Sequence, residues 1–127
     1  MLTTKTRTKW DNVTIKLRCP EGTAFIEIAE EYPGKINRIS ITIGKAGSSV
    51  NAQAYAIAEL TTELFNLGKS INDVIAKLTG ITSDRVVRAE SGVDVRSIPE
   101  ALILALHQYR STVPTTRVSR FRIKRNR

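Results

Sequence analysis

Alternation of apolar and polar positions dominates the first third of the chain. Residues 13–18 read V-T-I-K-L-R, residues 24–30 read A-F-I-E-I-A-E, and residues 36–43 read I-N-R-I-S-I-T-I. A period of two in β-branched residues marks strands with one buried face, because successive side chains leave opposite sides of the backbone. In the third segment Ile39, Ile41 and Ile43 share one side, and Arg38, Ser40 and Thr42 the other. In the second, Phe25 and Ile26 stand together and read as a short buried run. The connections Pro20-Glu21-Gly22 and Tyr32-Pro33-Gly34-Lys35 carry turn chemistry. Strands joined this tightly predict an antiparallel sheet of three, or of four if a segment about Thr6–Trp10 joins them.

Beyond Gly47 the period lengthens to that of a helix. A first helix from about Val50 to Leu67, capped by Ser48 or Ser49 and stopped by Gly68, puts Val50, Ala54, Ile57, Thr61, Leu64 and Phe65 on one stripe. Ala52, Ala56 and Ala58 fall on other faces, open to close approach. A second helix, Ile71 to Thr79, opens on Ser70-Ile71-Asn72-Asp73, a capping box with Asp in place of the usual Glu or Gln, and ends at Gly80. A third, Ile98 to Tyr109, has Ser97 as N-cap, Pro99 in its first turn and Glu100 at the capping-box position. Its centre, A-L-I-L-A-L, is apolar all round and must be covered all round. A subunit interface and a core helix under the sheet both satisfy that demand. Residues 81–96 are polar and turn-rich, and residues 118–124, V-S-R-F-R-I-K, alternate as a late strand with one cationic face. The fold class is therefore α+β: an amino-terminal antiparallel sheet of three to four strands, two to three helices, and a late basic strand.

Composition narrows the picture. A chain of 127 residues suits one domain over 1–127 and buries enough core to fold without covalent staples. The single cysteine, Cys19, excludes an internal disulfide, and no Cys/His cluster has zinc spacing, so neither metal nor other cofactor is expected. The longest apolar run, Ala101–Leu106, is too short to cross a bilayer, and M-L-T-T-K-T-R-T-K-W contains no signal-peptide core. These features predict a cytoplasmic protein in a reducing compartment, without a membrane partner.

Charge is unevenly placed. The net charge is +8, yet residues 1–111 hold fourteen Lys/Arg against all twelve Asp/Glu. Residues 112–127 hold no acid and six cations: Arg117, Arg120, Arg122, Lys124, Arg125 and Arg127. A basic carboxyl-terminal segment suggests an anionic partner, either nucleic acid or a phosphorylated small molecule, or else a solvated terminus. With Phe121 interleaved, it is a candidate to contact phosphates and stack on a base.

Residues for catalysis are scarce. The one histidine, His107, lies late in the third helix with no cysteine near it and reads as structural. Glu59 and Glu63 are like-charged i,i+4 neighbours on a solvated face, not an acid/base pair. No nucleophile–base arrangement exists, so a non-catalytic protein is expected. Binding signals are better. T-I-G-K-A-G-S-S-V-N-A-Q-A turns a strand into a helix start whose free N–H groups favour an anion, with Lys45 adding charge. It is not a Walker A loop, because the lysine precedes the second glycine, and the glycines and serines equally suit a capped turn. Arg85, Arg88 and Arg96 are spaced to clamp phosphates, and Phe65, Tyr55 and Tyr109 are candidate faces for an adenine.

The stretch Ile39–Arg85 resembles the TSCPD domain, best known at the carboxyl end of adenosylcobalamin-dependent ribonucleotide reductases. The resemblance rests on the order strand, G-K-A-G-S, alanine-rich helix, leucine and glycine, short helix, then L-T-G-I. Cys19 and the alternating strand after it are similar to the family's first β element. The namesake motif survives only as Thr82-Ser83-Asp84, without its Cys-Pro, and the carboxyl-terminal cysteines of the reductases are absent. The resemblance therefore implies a free-standing, cysteine-poor domain rather than a reductase; an accessory module docked on such an enzyme is an alternative. Small proteins of this build include phage sponges that counter the Thoeris defence by sequestering cyclic ADP-ribose-type signals. Some of these also hold cyclic oligonucleotides, and they assemble through their helices. What this likeness implies is a cyclic nucleotide-type ligand, a homo-oligomer (dimer or hexamer) assembled through helices, and a pocket drawn from Phe65, Asn72, Arg85, Arg88 and Arg96; Lys45 and Arg38 are further candidate ligand contacts, and the first and third helices are the expected interface.

Overall fold

The computed structural model describes residues 12–44, 47–89 and 92–112, and within them the three alternating segments form one antiparallel sheet. Strands β1 (Asn12–Cys19), β2 (Gly22–Tyr32) and β3 (Lys35–Ile43) lie in chain order, β2 in the centre. Cross-strand rows on the inner face read Val13–Ile28–Ile39, Ile15–Ile26–Ile41 and Leu17–Ala24–Ile43. All of these except half-buried Val13 are core residues. The outer face carries Thr14–Glu27–Ser40 and Lys16–Phe25–Thr42. Phe25 thus corrects the expectation of a buried Phe25-Ile26 run: it is 47% exposed while Ile26 is fully buried. The pleat allows only one of two neighbours inside, and burying Phe25 would have expelled Ala24, Ile26 and Ile28.

Helix α1 (Ser49–Asn66) packs on β3. Ser48 is its N-cap, accepting the Asn51 N–H at 3.1 Å. Gly44 holds φ +68°, a conformation that lets the chain leave β3 and double back at once. The buried line of α1 is Ala54, Ala58, Thr61 and Phe65, so Ala58 belongs to the core rather than to an open face. Two side chains of α1 also reach the outer edge of β3. Thr62 Oγ1 accepts the Ile39 N–H at 2.9 Å and donates to the Ile39 carbonyl at 3.2 Å. Asn51 Oδ1 accepts the Ile43 N–H at 3.0 Å.

Helix α2 (Ile71–Leu78) touches both α1 and the last helix. Its capping box is complete despite the Asp: Ser70 Oγ accepts the Asp73 N–H, and Asp73 Oδ2 accepts the Ser70 N–H. Those hydrogen bonds to Ser70, with Lys69 nearby, hold the Asp73 carboxyl below the usual carboxylate range. A small hairpin, β4 (Val87–Arg88) with β5 (Asp94–Val95), occupies the polar stretch that follows. The segments about Thr6–Trp10 and 118–124, read as strands from the sequence, lie outside the described residues.

Helix α3 (Ile98–Thr112) lies against β1 and β2. Ser97 Oγ accepts the Glu100 N–H, as the sequence predicts, and Glu100 Oε1 accepts the Arg96 N–H. Ala101, Leu102, Ala105, Leu106 and Tyr109 form its fully buried line. Of the two accounts of this apolar helix, the place under the sheet explains that line; Ile103 and Leu104 are half-buried. His107 is exposed. The molecule is thus two-layered over its described residues, with helices on one sheet face and side chains in water on the other.

Cys19, at the end of β1, is buried and donates to the Gly22 carbonyl at 3.4 Å. Burial pushes its thiol pKa up to about 11 from 9.0. Between those values the unfolded chain has released the proton that the folded chain keeps. Stability from this group is therefore whole below about pH 9 and lost as pH rises through about 11. At pH 8 the native thiolate population is roughly 100-fold below that of the unfolded chain. Labelling by a disulfide reagent should be markedly slower in the folded chain, which also shields the thiol, and equal rates with and without urea would contradict this placement.

Candidate functional site

A cleft begins at the β2–β3 turn. Proline at position 33 presets its own φ, and Gly34 supplies the positive φ, +89°, that lets Tyr32 pair directly with Lys35. The Gly34 N–H donates to Glu30 Oε2 at 3.0 Å, and the Tyr109 hydroxyl donates to the same oxygen at 2.6 Å. Glu30 is on the inner face and buried, so the turn is tied to α3 through a carboxylate in the core.

This anchoring sets Gly34, Lys35 and Ile36 opposite the α1–α2 connection. The α1 end contributes Phe65, the connection contributes Gly68, Lys69 and Ser70, the start of α2 contributes Ile71 and Asn72, and α3 contributes Arg110. The cleft volume is about 350 Å³, within the ~300–1,000 Å³ usual for small-molecule sites. Arg110 Nη1 donates to Asn72 Oδ1 at 2.9 Å, which fixes the guanidinium at the mouth between α2 and α3. The lining holds three cations and no carboxylate. The nearest acid of α2, Asp73, is turned to its own cap. A guanidinium held at the mouth and two lysines in the same lining favour an anion with several oxygens.

Of the residues singled out in the sequence, Phe65 and Asn72 meet here. Phe65 is only 4% exposed, so its ring is floor rather than a stacking face. Arg85, Arg88 and Arg96 stand elsewhere. Arg88 and Arg96 share the two oxygens of Asp94, at 3.3 and 3.8 Å, because the β4–β5 register sets Arg88 opposite Asp94. Arg85 is exposed in the preceding loop, its N–H donating to Ser83 Oγ. Arg38 pairs with Glu59 of α1 at 3.6 Å. Lys45 and the basic tail residues Arg117, Arg120, Arg122, Lys124 and Arg125 lie outside the described residues.

Sequence reasoning passed over Lys35, Lys69 and Arg110. For Lys69 a signal existed: Gly68-Lys69-Ser70 repeats, before α2, the glycine, lysine and capping serine that stand before α1. For Lys35 and Arg110 none did, since only packing brings positions so far apart to one mouth. Among the described residues no group of His, Cys, Asp and Glu is arranged to hold a metal ion, and no helix is long and apolar enough to cross a membrane.

The sequence model of the TSCPD domain matches residues 2–110, a span that takes in every residue lining the cleft. No curated protein and no solved structure matches the chain.

Proposed function

The chain belongs to the TSCPD domain family, and from that premise we propose that it is a non-catalytic protein that binds an anionic, nucleotide-type small molecule in this cleft. The observation that carries the reading is the union of Lys35, Lys69 and Arg110 around 350 Å³ of open space without a lining carboxylate. Lys35 and Lys69 neutralise phosphate charge, Arg110 forks onto phosphate oxygens, and Asn72 offers an amide to the polar edge of a base or ribose. The lining contains neither histidine nor cysteine to serve as a proton carrier or nucleophile, which favours holding over turnover. In its specific form the protein is a sponge for cyclic ADP-ribose-type signals, acting in the cytoplasm of a phage-infected cell.

Assembly belongs to the same proposal. The outward side of α1 carries Leu60, and its C-cap Leu67, 70% and 68% exposed, beside exposed Ala52 and Ala56. Such a face suits a symmetric contact between copies, and a sedimentation mass near the single-chain 14.1 kDa at micromolar concentration would refute it. For the ligand, calorimetry against cyclic ADP-ribose isomers, ADP-ribose and cyclic oligonucleotides should give saturable heat with at least one. The bound compound should return chemically unchanged after heat release. Absence of heat with all of them removes the sponge; an altered compound removes the non-catalytic reading.

A further inference from the structure

The outer face of the sheet presents a second surface that the cleft does not use. Its central row is Lys16–Phe25–Thr42, and the next row toward the β1–β2 turn pairs Arg18 with Thr23. Phe25 stands in the middle strand with 47% of its surface in water, and the Lys16 ammonium lies 6.0 Å from its ring centroid. Thr14, Ser40 and Thr42 supply hydroxyls around it. Around Phe25 no other large apolar side chain among the described residues shares this face: the adjoining positions are Thr14, Arg18, Thr23, Glu27 and Ser40, and exposed Tyr32 stands at the far end of β2 beyond the bulge.

That composition decides which occupant fits. A protein partner needs a contiguous apolar centre, and one phenyl ring among hydroxyls and cations does not make one. A stacked base needs a single exposed ring, with cations alongside for the backbone and no particular order of bases. The charges are arranged accordingly. Lys16 and Arg18 are alternate residues of β1, roughly 7 Å apart along the strand, and both lie in or beyond the Phe25 row. Glu27 occupies the row on the other side, and Arg38 is drawn over the β3 edge to Glu59. The cations thus lie toward the β1–β2 turn, Lys16 and Arg18 outnumbering the Glu21 of the turn itself.

We propose that this face is a platform for single-stranded nucleic acid, on which Phe25 stacks a base while Lys16 and Arg18 meet the flanking phosphates. The inference is independent of the cleft, whose lining shares no residue with it.

The test uses the full chain and a fluorescein-labelled oligothymidine, with affinity read by anisotropy over a salt series. Phe25→Ala should weaken binding by roughly 5- to 150-fold, the range for loss of one stacked base. Phe25→Tyr, which keeps a ring, should restore it. The double substitution Lys16→Gln and Arg18→Gln should flatten the slope of log affinity against log salt by about 1.4, two contacts at ~0.7 each for a single strand. Since these positions are on the wet face of the sheet, the variants should remain folded at the assay temperature, as circular dichroism would show. The proposal is overturned if the full chain gives no anisotropy change. It also falls if Phe25→Ala binds like the parent, or if the salt slope of the double variant is unchanged. A drop in sedimenting mass on Phe25→Ala would instead assign the face to pairing of two copies, and equally overturn it.

Discussion

Replacing Arg110 with alanine should lower affinity for the cleft's ligand by roughly 10- to 150-fold and leave the unfolding temperature almost unchanged. The magnitude follows from charge-assisted hydrogen bonds to phosphate, about 1.5–3 kcal/mol when one partner is removed, at about 1.4 kcal/mol per tenfold. The small effect on folding follows from position: Arg110 is exposed, and its hydrogen bond to Asn72 is a surface one. Arg110→Lys should recover only part of the loss, because an ammonium cannot span two oxygens in a plane. Asn72→Ala should cost less than Arg110→Ala, since it frees the guanidinium rather than deleting it. The control is Arg88→Ala. Arg88 is committed to Asp94 across the hairpin, so its loss should leave ligand affinity within about twofold. Calorimetry on the four variants reads all of this. If Arg88→Ala abolishes binding and Arg110→Ala does not, the ligand sits on the arginine loop and the cleft assignment fails.

A second large effect is expected at Ile26, where truncation to alanine should cost about 2–5 kcal/mol. Ile26 is fully buried in the central strand, between Ile15 and Ile41 in one cross-strand row. A cavity at that point is bounded by side chains from both flanking strands and cannot close by local collapse. Against a net stability of about 5–15 kcal/mol, the loss should lower the unfolding midpoint by roughly 10–20 °C. Its neighbour provides the contrast: Phe25→Ala, on the wet face, should change stability by well under half as much. Thermal unfolding followed by circular dichroism distinguishes the pair, and equal losses would show that the strand register is wrong.

The parity that separates these two residues was present in the sequence. Ala24, Ile26, Ile28 and Glu30 form one set of alternate positions and Phe25, Glu27 and Ala29 the other. Hydrophobicity suggested that Phe25 belonged inside; the geometry of the pleat outweighed it. Strands and helix starts were legible for the same reason, because each is governed by residues within four positions. Ser48, Ser70 and Ser97 each accept the N–H three residues on, and the Asp73 variant of the capping box closes as the Glu form does. The cleft was not legible in this way. It depends on Glu30 meeting Tyr109 and thereby drawing the Lys35 turn toward Arg110. Nothing local to positions 30, 35, 69 or 110 encodes that meeting. The meeting of Arg88 and Arg96 on Asp94 was hidden for a related reason: it becomes visible only once the hairpin register is known.

The grip of α1 on β3 has a consequence for how the sheet can grow. Thr62 and Asn51 occupy outward backbone groups of Ile39 and Ile43, the groups through which a further strand would have to hydrogen-bond. β-Augmentation along β3 would require α1 to let go first, with two helix side chains losing their acceptors and donors at once. Among the described residues, the sheet edge whose backbone groups no helix side chain occupies is that of β1, near which β4 packs. Contacts made by the helical layer remain compatible with that side being filled, so a donated strand and a helix-mediated assembly would not compete.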